Sequence, residues 1–320
     1  MLDKTETGAE WPMLGLLVLC YGSAALVLFG LSAWSLWLAV PAYALTAAMH
    51  SSLTHEAIHG HPSRYPLLNA ALLGLPLTLV VPFMRFKDLH LDHHRDEFLT
   101  DPYDDPESNY LDPAVWMRLR APVQAVLRFN NTIAGRMLVG PLIGIGGFIL
   151  GDMALIRGGD RRVLAGWLIH LPLAAVMVAL VMLSPMPLWA FGIGVYGGLS
   201  LLRIRTYLEH RAHDKARSRT VVIEDRGPLS LLFLNNNFHV VHHMHPQMAW
   251  HRLPRLYAAR RDHYLARNDG YRFASYAEVF GRHFLTAKDP VAHPLYPKSN
   301  SATGITGKNA PPEATPNQSS

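Results

Sequence analysis

Eight of the 18 histidines in this 320-residue chain stand in three tight clusters. The first is His55-Glu56-Ala57-Ile58-His59, the second His90-Leu91-Asp92-His93-His94, and the third His239-Val240-Val241-His242-His243. On a helix, positions i, i+3 and i+4 share one face, so each cluster aims its imidazoles at a common centre. Neutral imidazole suits iron, zinc or copper, and eight such groups exceed what one four-coordinate ion uses. The spacing therefore predicts two metal ions. A lone H-x-x-x-H arises by chance on exposed helices, but three clusters in one chain are much harder to reach that way. His170, inside an apolar run, and the scattered His251, His263, His283 and His293 read as packing, surface or interface residues.

The elements that must position these clusters lie in a membrane. Half of the residues are hydrophobic and 17% are charged, which does not fit a water-soluble globule. The single cysteine, Cys20, excludes a disulfide framework, a cysteine zinc site and an iron–sulfur cluster. A net charge of +5 is explained by basic loops beside a membrane, with no nucleic-acid partner.

No Asp, Glu, Lys or Arg lies between Glu10 and Glu56, a stretch long enough for two crossings. It predicts a helical hairpin with spans at 12–29 and 33–50 and a turn at Gly30 to Ser35. The run from Val163 to Leu202, broken by Ser184-Pro185-Met186-Pro187, predicts a second hairpin with spans at 164–183 and 188–205. Two shorter runs read as re-entrant or interfacial. The run at 66–84 carries Pro66, Pro76 and Pro82, and the run at 137–151 carries Pro141, Gly144, Gly146 and Gly147.

The expected fold is thus all-α and integral to the membrane, with four transmembrane helices, re-entrant segments and a cytoplasmic helical cap bearing the histidines. The positive-inside rule puts Arg85, Lys87, Arg95, Arg157, Arg161, Arg162, Arg203, Arg205, Arg211 and both termini in the cytoplasm. All three histidine clusters then fall at one membrane face. The segment Pro113 to Leu127 is expected along the membrane surface, residues 1–298 form one domain, and 299–320 read as a disordered tail.

The pattern His55-Glu56-x-x-His59-Gly60, His90-x-x-His93-His94 and Asn237-Phe238-His239-x-x-His242-His243 resembles the membrane fatty acid desaturase and hydroxylase superfamily. The likeness extends through Pro246, Trp250 and Leu253-Pro254 and covers roughly residues 12 to 265. It implies a non-haem di-iron centre that uses O2, held by His55, His59, His90, His93, His94, His239, His242 and His243. It also implies a further ligand near the end of the last span, where His210 is expected and His213 is the other choice. Asn236 or Asn237 would bind a water or orient a ligand, and Glu56, Asp92, Asp96, Glu209 and Asp214 are candidates for orienting imidazoles. The implied reaction is oxidation of an unactivated C–H bond in a membrane-associated bacterial enzyme, with desaturation of a long acyl chain ahead of hydroxylation or oxygenation of a hydrocarbon, carotenoid or small molecule. With no haem or dinucleotide motif in the chain, a ferredoxin-type electron donor is implied.

Two other classes compete. His55-Glu56-Ala57-Ile58-His59 satisfies H-E-x-x-H, the zinc metalloprotease motif with Glu56 as general base, but that reading leaves six box histidines unexplained. A metal transporter or sensor would want polar residues along its spans, and the first two contain almost none.

Overall fold

The computed structural model describes residues 10–296, which are mostly helical. The expected tail at 299–320 lies outside the described residues, as do the first nine residues. Helix α1 (Trp11–Leu26) has Pro12 in its first turn, where the missing N–H breaks no intrahelical bond. The chain stays helical through a π turn, Val27–Leu31, to Trp34. Ser35, extended at φ −155° and ψ 115°, then reverses it into α2 (Leu36–Ile58). The hairpin therefore turns at one residue rather than across Gly30 to Ser35. Helix α2 also continues past the expected end at 50, and this extension carries His55 on its last turn.

Between α3 (Pro66–Leu73) and α4 (Phe83–His93) the backbone is irregular. Away from water, its carbonyls need internal donors. Tyr21 Oη donates to Leu72 O at 2.8 Å and Tyr43 Oη to Leu77 O at 2.9 Å. The His170 ring nitrogen lies 2.9 Å from Leu79 O, which gives that isolated histidine a structural task.

Helix α5 (Ala121–Asn130) has no buried residue, and it exposes Val123, Val126 and Phe129. Short α6 (Ile133–Leu138) then leads into α7 (Gly140–Arg157). The run at 137–151, expected as re-entrant or interfacial, lies in the end of α6 and in the continuous helix α7. Pro141 sits in its first turn, where proline is tolerated, and interior glycines cost a helix only about 1 kcal/mol each. Helices α8 (Arg161–Met182) and α9 (Leu188–Thr206) form the second hairpin.

Among the described residues, three helical stretches, Trp11–Trp34, Gly140–Arg157 and Arg161–Met182, are long and apolar enough to cross a membrane. Helices α2 and α9, expected as spans, have 23 and 19 residues and pack against each other along their lengths. Exposed Trp34, Trp37 and Trp189 ring the hairpin turns, the placement that tryptophan favours at a membrane interface.

Small residues let α2 and α9 approach closely. A Cβ added at Gly194 would lie 3.1 Å from the Tyr43 ring, and one at Gly198 would lie 2.9 Å from Ala47 Cβ and 3.0 Å from Ala44 O. This close approach sets the C-terminal end of α2, with His55 and His59, beside the end of α9, which leads into Glu209 and His210.

Helix α4 is fixed differently. Arg85 donates from Nε and Nη2 to Asp152 of α7 at 2.9 and 2.7 Å, and Trp167 of α8 donates to the same carboxylate at 2.8 Å. The third cluster lies on α10 (His239–Met244). A parallel ladder of β1 (Val222–Ile223) and β2 (Arg272–Phe273), the only strands among the described residues, anchors it through Ile223 N–H to Asn237 O and Val240 N–H to Val221 O.

Candidate metal centre

The nine expected histidines converge, and they sort into sets that cut across the sequence clusters. His55, His59, His90 and His242 each offer a nitrogen, all four within 4.8 Å of one another. His93, His210, His239 and His243 form a second such group. His94 joins the first set, its Nε2 2.9 Å from His90 Nε2 and 3.2 Å from His242 Nε2, while its ring stacks on His243 of the second at 4.3 Å. The helices α2, α4 and α9 all end here, so the partial negative charge of three C-termini faces the same volume.

Carboxylates behind the imidazoles decide which nitrogen points inward. Glu107 Oε1 lies 2.8 Å from His90 Nδ1, and Asp105 Oδ1 lies 2.7 Å from His93 Nδ1. Each carboxylate accepts from Nδ1–H, so the neutral ring presents a bare Nε2 to the centre. Asn236 Oδ1 is 3.3 Å from His239 Nδ1, and its Nδ2 donates to Glu209 Oε1 at 2.8 Å.

This wiring gives a test of whether a metal fits. His93 and His239, each with Nδ1 held from behind, both aim Nε2 at His210 Nε2, at 2.8 and 3.0 Å. His210 Nε2 carries at most one hydrogen, so with all three rings neutral one contact brings two lone pairs together and calls for a cation. His55 Nε2 and His210 Nδ1 are buried without a hydrogen-bond partner. Burial holds the imidazoles of His55, His59, His210, His239 and His242 well below the usual range, in the neutral ligating form. Burial also works to lower His93, yet Glu107 and Asp105 raise it to about 9, so this position is built for positive charge. The donor set fits two imidazole-bound cations.

Other expected residues are placed as follows. Glu56 is buried, with Oε1 3.5 Å from His55 Nδ1 and Oε2 accepting the Trp250 backbone N–H at 3.1 Å. Glu209 is buried and pairs with Arg205 at 3.4 Å. Asp92 does not back a ligand: it is exposed and pairs with Arg95 at 3.2 Å, because on α4 it faces away from His90 and His93. Asn237 instead donates to Ile223 O and Asp225 O at 2.7 and 3.0 Å, holding the loop beside β1. His213 turns to Asp269 at 3.2 Å, and Asp214 is exposed. The Asp96 side chain lies outside the described residues. Asp105 and Glu107 were not anticipated, although the acidic run Asp101-Pro102-Tyr103-Asp104-Asp105-Pro106-Glu107 directly after the second cluster was a usable signal.

A cavity of about 930 Å³ reaches this centre at Glu107, Glu209 and His210. Phe86, Leu89, Phe148, Leu199 and Leu202 supply much of its apolar wall.

Comparison with known proteins agrees with the geometry. Two relatives are beta-carotene ketolases of Paracoccus strains, 28% and 32% identical over 214 residues, or 63% of this chain and 71% of theirs. Residues 31–275 match the fatty acid desaturase family model. With its apolar helices and its ketolase relatives, the protein is an integral membrane oxidoreductase, and the chain belongs to the fatty acid desaturase family.

Proposed function

We propose that the nine histidines hold two non-haem irons and that the protein uses O2 and external electrons to desaturate a long acyl chain. The sorting of the imidazoles into two facing sets, with tautomers fixed from behind, carries this reading. Bound iron would supply reductive activation of O2 and removal of hydrogen from a C–H bond that offers no acid–base handle. Glu107 and Asp105 hold His90 and His93 with Nε2 forward, Asn236 orients His239, and Glu209 holds Asn236. The apolar cavity wall receives the chain beside His210 and keeps bulk water from the reacting carbon.

Electrons come from a ferredoxin-type partner, an acidic protein drawn to the basic face that Arg95, Arg211 and their neighbours give this end of the molecule. The protein belongs in the bacterial plasma membrane with its histidines toward the cytoplasm, because positive-inside bias puts the basic loops there. A second reading, oxygenation of a carotenoid or other hydrocarbon, draws support from the two ketolase relatives. A zinc protease built on His55 and His59 is disfavoured, since Glu56 is committed to the Trp250 amide rather than free to activate water.

Metal analysis of the purified protein tests the centre: about two irons per chain are expected. Stoichiometric zinc without iron would overturn it. Lipid and pigment profiling of cells with and without intact clusters tests the reaction. A new acyl double bond supports desaturation, and a new hydroxyl or ketone assigns the oxygenase reading instead.

A further inference from the structure

Five cationic and five acidic side chains line the cavity, but not every cation has a carboxylate partner. Arg85 is paired with Asp152, Lys288 with Asp289 at 3.1 Å, and Arg205 with Glu209. Asp105 and Glu107 are taken by His93 and His90. Two guanidinium groups remain, those of Arg136 and Arg203, and both line the cavity.

Arg136 is 4% exposed, and its hydrogen bonds go to neutral oxygens: Asn130 O at 3.0 Å, Asn109 Oδ1, and Asn131 Oδ1 at 3.4 Å. For Arg203 no ion pair occurs among the described residues, and Glu107, the carboxylate whose charge acts on it, already accepts from His90. Arg203 acts on Arg136 as a like charge, and Arg205 acts so on Arg203. Buried cations at close quarters are costly unless an anion joins them.

The backbone beneath them is shaped to hold both. Gly140 and Gly144 stand one turn apart on α7. A Cβ at Gly140 would press on Arg136 Cδ at 3.1 Å, and one at Gly144 would run into the Arg203 guanidinium. The two side chains thus lie across a glycine floor, in a cavity whose wall also carries an apolar stretch of Phe86, Leu89, Phe148, Leu199 and Leu202.

We propose that Arg136 and Arg203, laid over Gly140 and Gly144, receive an oxyanion of the substrate, whose hydrocarbon part lies along the apolar stretch of the cavity beside Leu199 and Phe148. Planar guanidinium groups match carboxylate and phosphate oxygens in geometry as well as charge. The inference rests on reading this cavity as the substrate site. It separates the chain's substrate from a pure hydrocarbon, which has no group for these cations.

The test is binding to the full-length protein in detergent, with palmitate, methyl palmitate and inorganic phosphate as probes, alongside metal analysis and elution on size exclusion. Palmitate should bind about tenfold or more tighter than its uncharged ester, the scale of one charge-assisted contact. Arg203→Gln and Gly144→Ala should abolish that preference, while Arg203→Lys keeps part of it, with elution and metal content unchanged in all three. Equal binding of acid and ester to the unaltered protein would overturn the proposal, as would a preference that survives Arg203→Gln. Phosphate binding that depends on Arg203 without palmitate binding would assign the pair to a free anion and overturn the substrate role. A protein with two irons but no acid preference refutes only this inference, and an iron-free protein with an Arg203-dependent preference refutes only the di-iron reading.

Discussion

The two histidine sets are held in place by different means. In the first, His55, His59, His90 and His242 are buried side chains on or directly after the helices α2, α4 and α10, and their directions follow from helix geometry. In the second, His210 lies beyond the end of α9, its carbonyl accepting from Lys288, while His93 leans on Asp105 and His239 on Asn236 and Glu209. The second set thus includes a ligand outside any helix, His210, and has hydrogen-bond partners behind two of its rings, His93 and His239, whereas in the first set a close carboxylate stands behind His90 alone, from Glu107. Packing tolerates small polar changes nearby, whereas a hydrogen-bonded ligand loses its orientation when one partner goes.

Removing a ligand is the strongest way to separate the sets. His242→Ala and His210→Ala should each abolish turnover, with the iron content of the purified protein falling from about two to about one per chain. Each variant should stay in the membrane, since neither residue lies in an apolar stretch long enough to cross. His94→Ala sharpens the boundary: its Nε2 contacts predict loss of the first-set metal although its ring stacks on the second set. Loss of both metals from every one of these variants would show that the sets fill as a unit.

Orienting carboxylates come next. Asp105→Asn should lower metal affinity or activity about 10–100-fold, the usual cost of removing a partner behind a metal-bound imidazole. The loss should fall on the second set, whereas Glu107→Gln should fall on the first through His90. Iron retention during graded chelation measures both. Identical retention curves for the two variants would erase the proposed difference between the sets.

The asymmetry also explains what the sequence could disclose. H-x-x-x-H and H-x-x-H-H are local patterns on helices, so the imidazoles of all three clusters were legible, and His210 was reachable from its place after the last apolar run. Asp105 and Glu107 obey no helical period. They follow the second cluster in a turn-rich loop, and only the folded chain returns them to His93 and His90. Asp92 misleads for the opposite reason: it sits inside a cluster, but the face shared by His90 and His93 excludes it. The α1 to α2 and α8 to α9 hairpins were readable from uncharged length. Helix α7 was not, because Pro141 and three glycines look like breakers until Pro141 is seen to occupy the first turn.

The smallest expected effect compares two adjacent asparagines. Asn236 Oδ1 is 3.3 Å from His239 Nδ1, a long hydrogen bond, and removing such a bond costs about 1 kcal/mol, or roughly fivefold in affinity. Asn236→Ala should therefore weaken second-set metal by about that factor, with additional loss if freeing Glu209 draws it toward Arg205. Asn237 makes two bonds to the backbone at Ile223 and Asp225 and none to a cluster histidine among the described residues. Asn237→Ala should lower thermal stability by about 1–3 kcal/mol while leaving metal affinity of the folded fraction unchanged, because buried carbonyls lose their donor but the imidazoles keep theirs. If Asn237→Ala instead released second-set metal as readily as Asn236→Ala, then the β1 loop, rather than the Asn236 side chain, would be what orients His239.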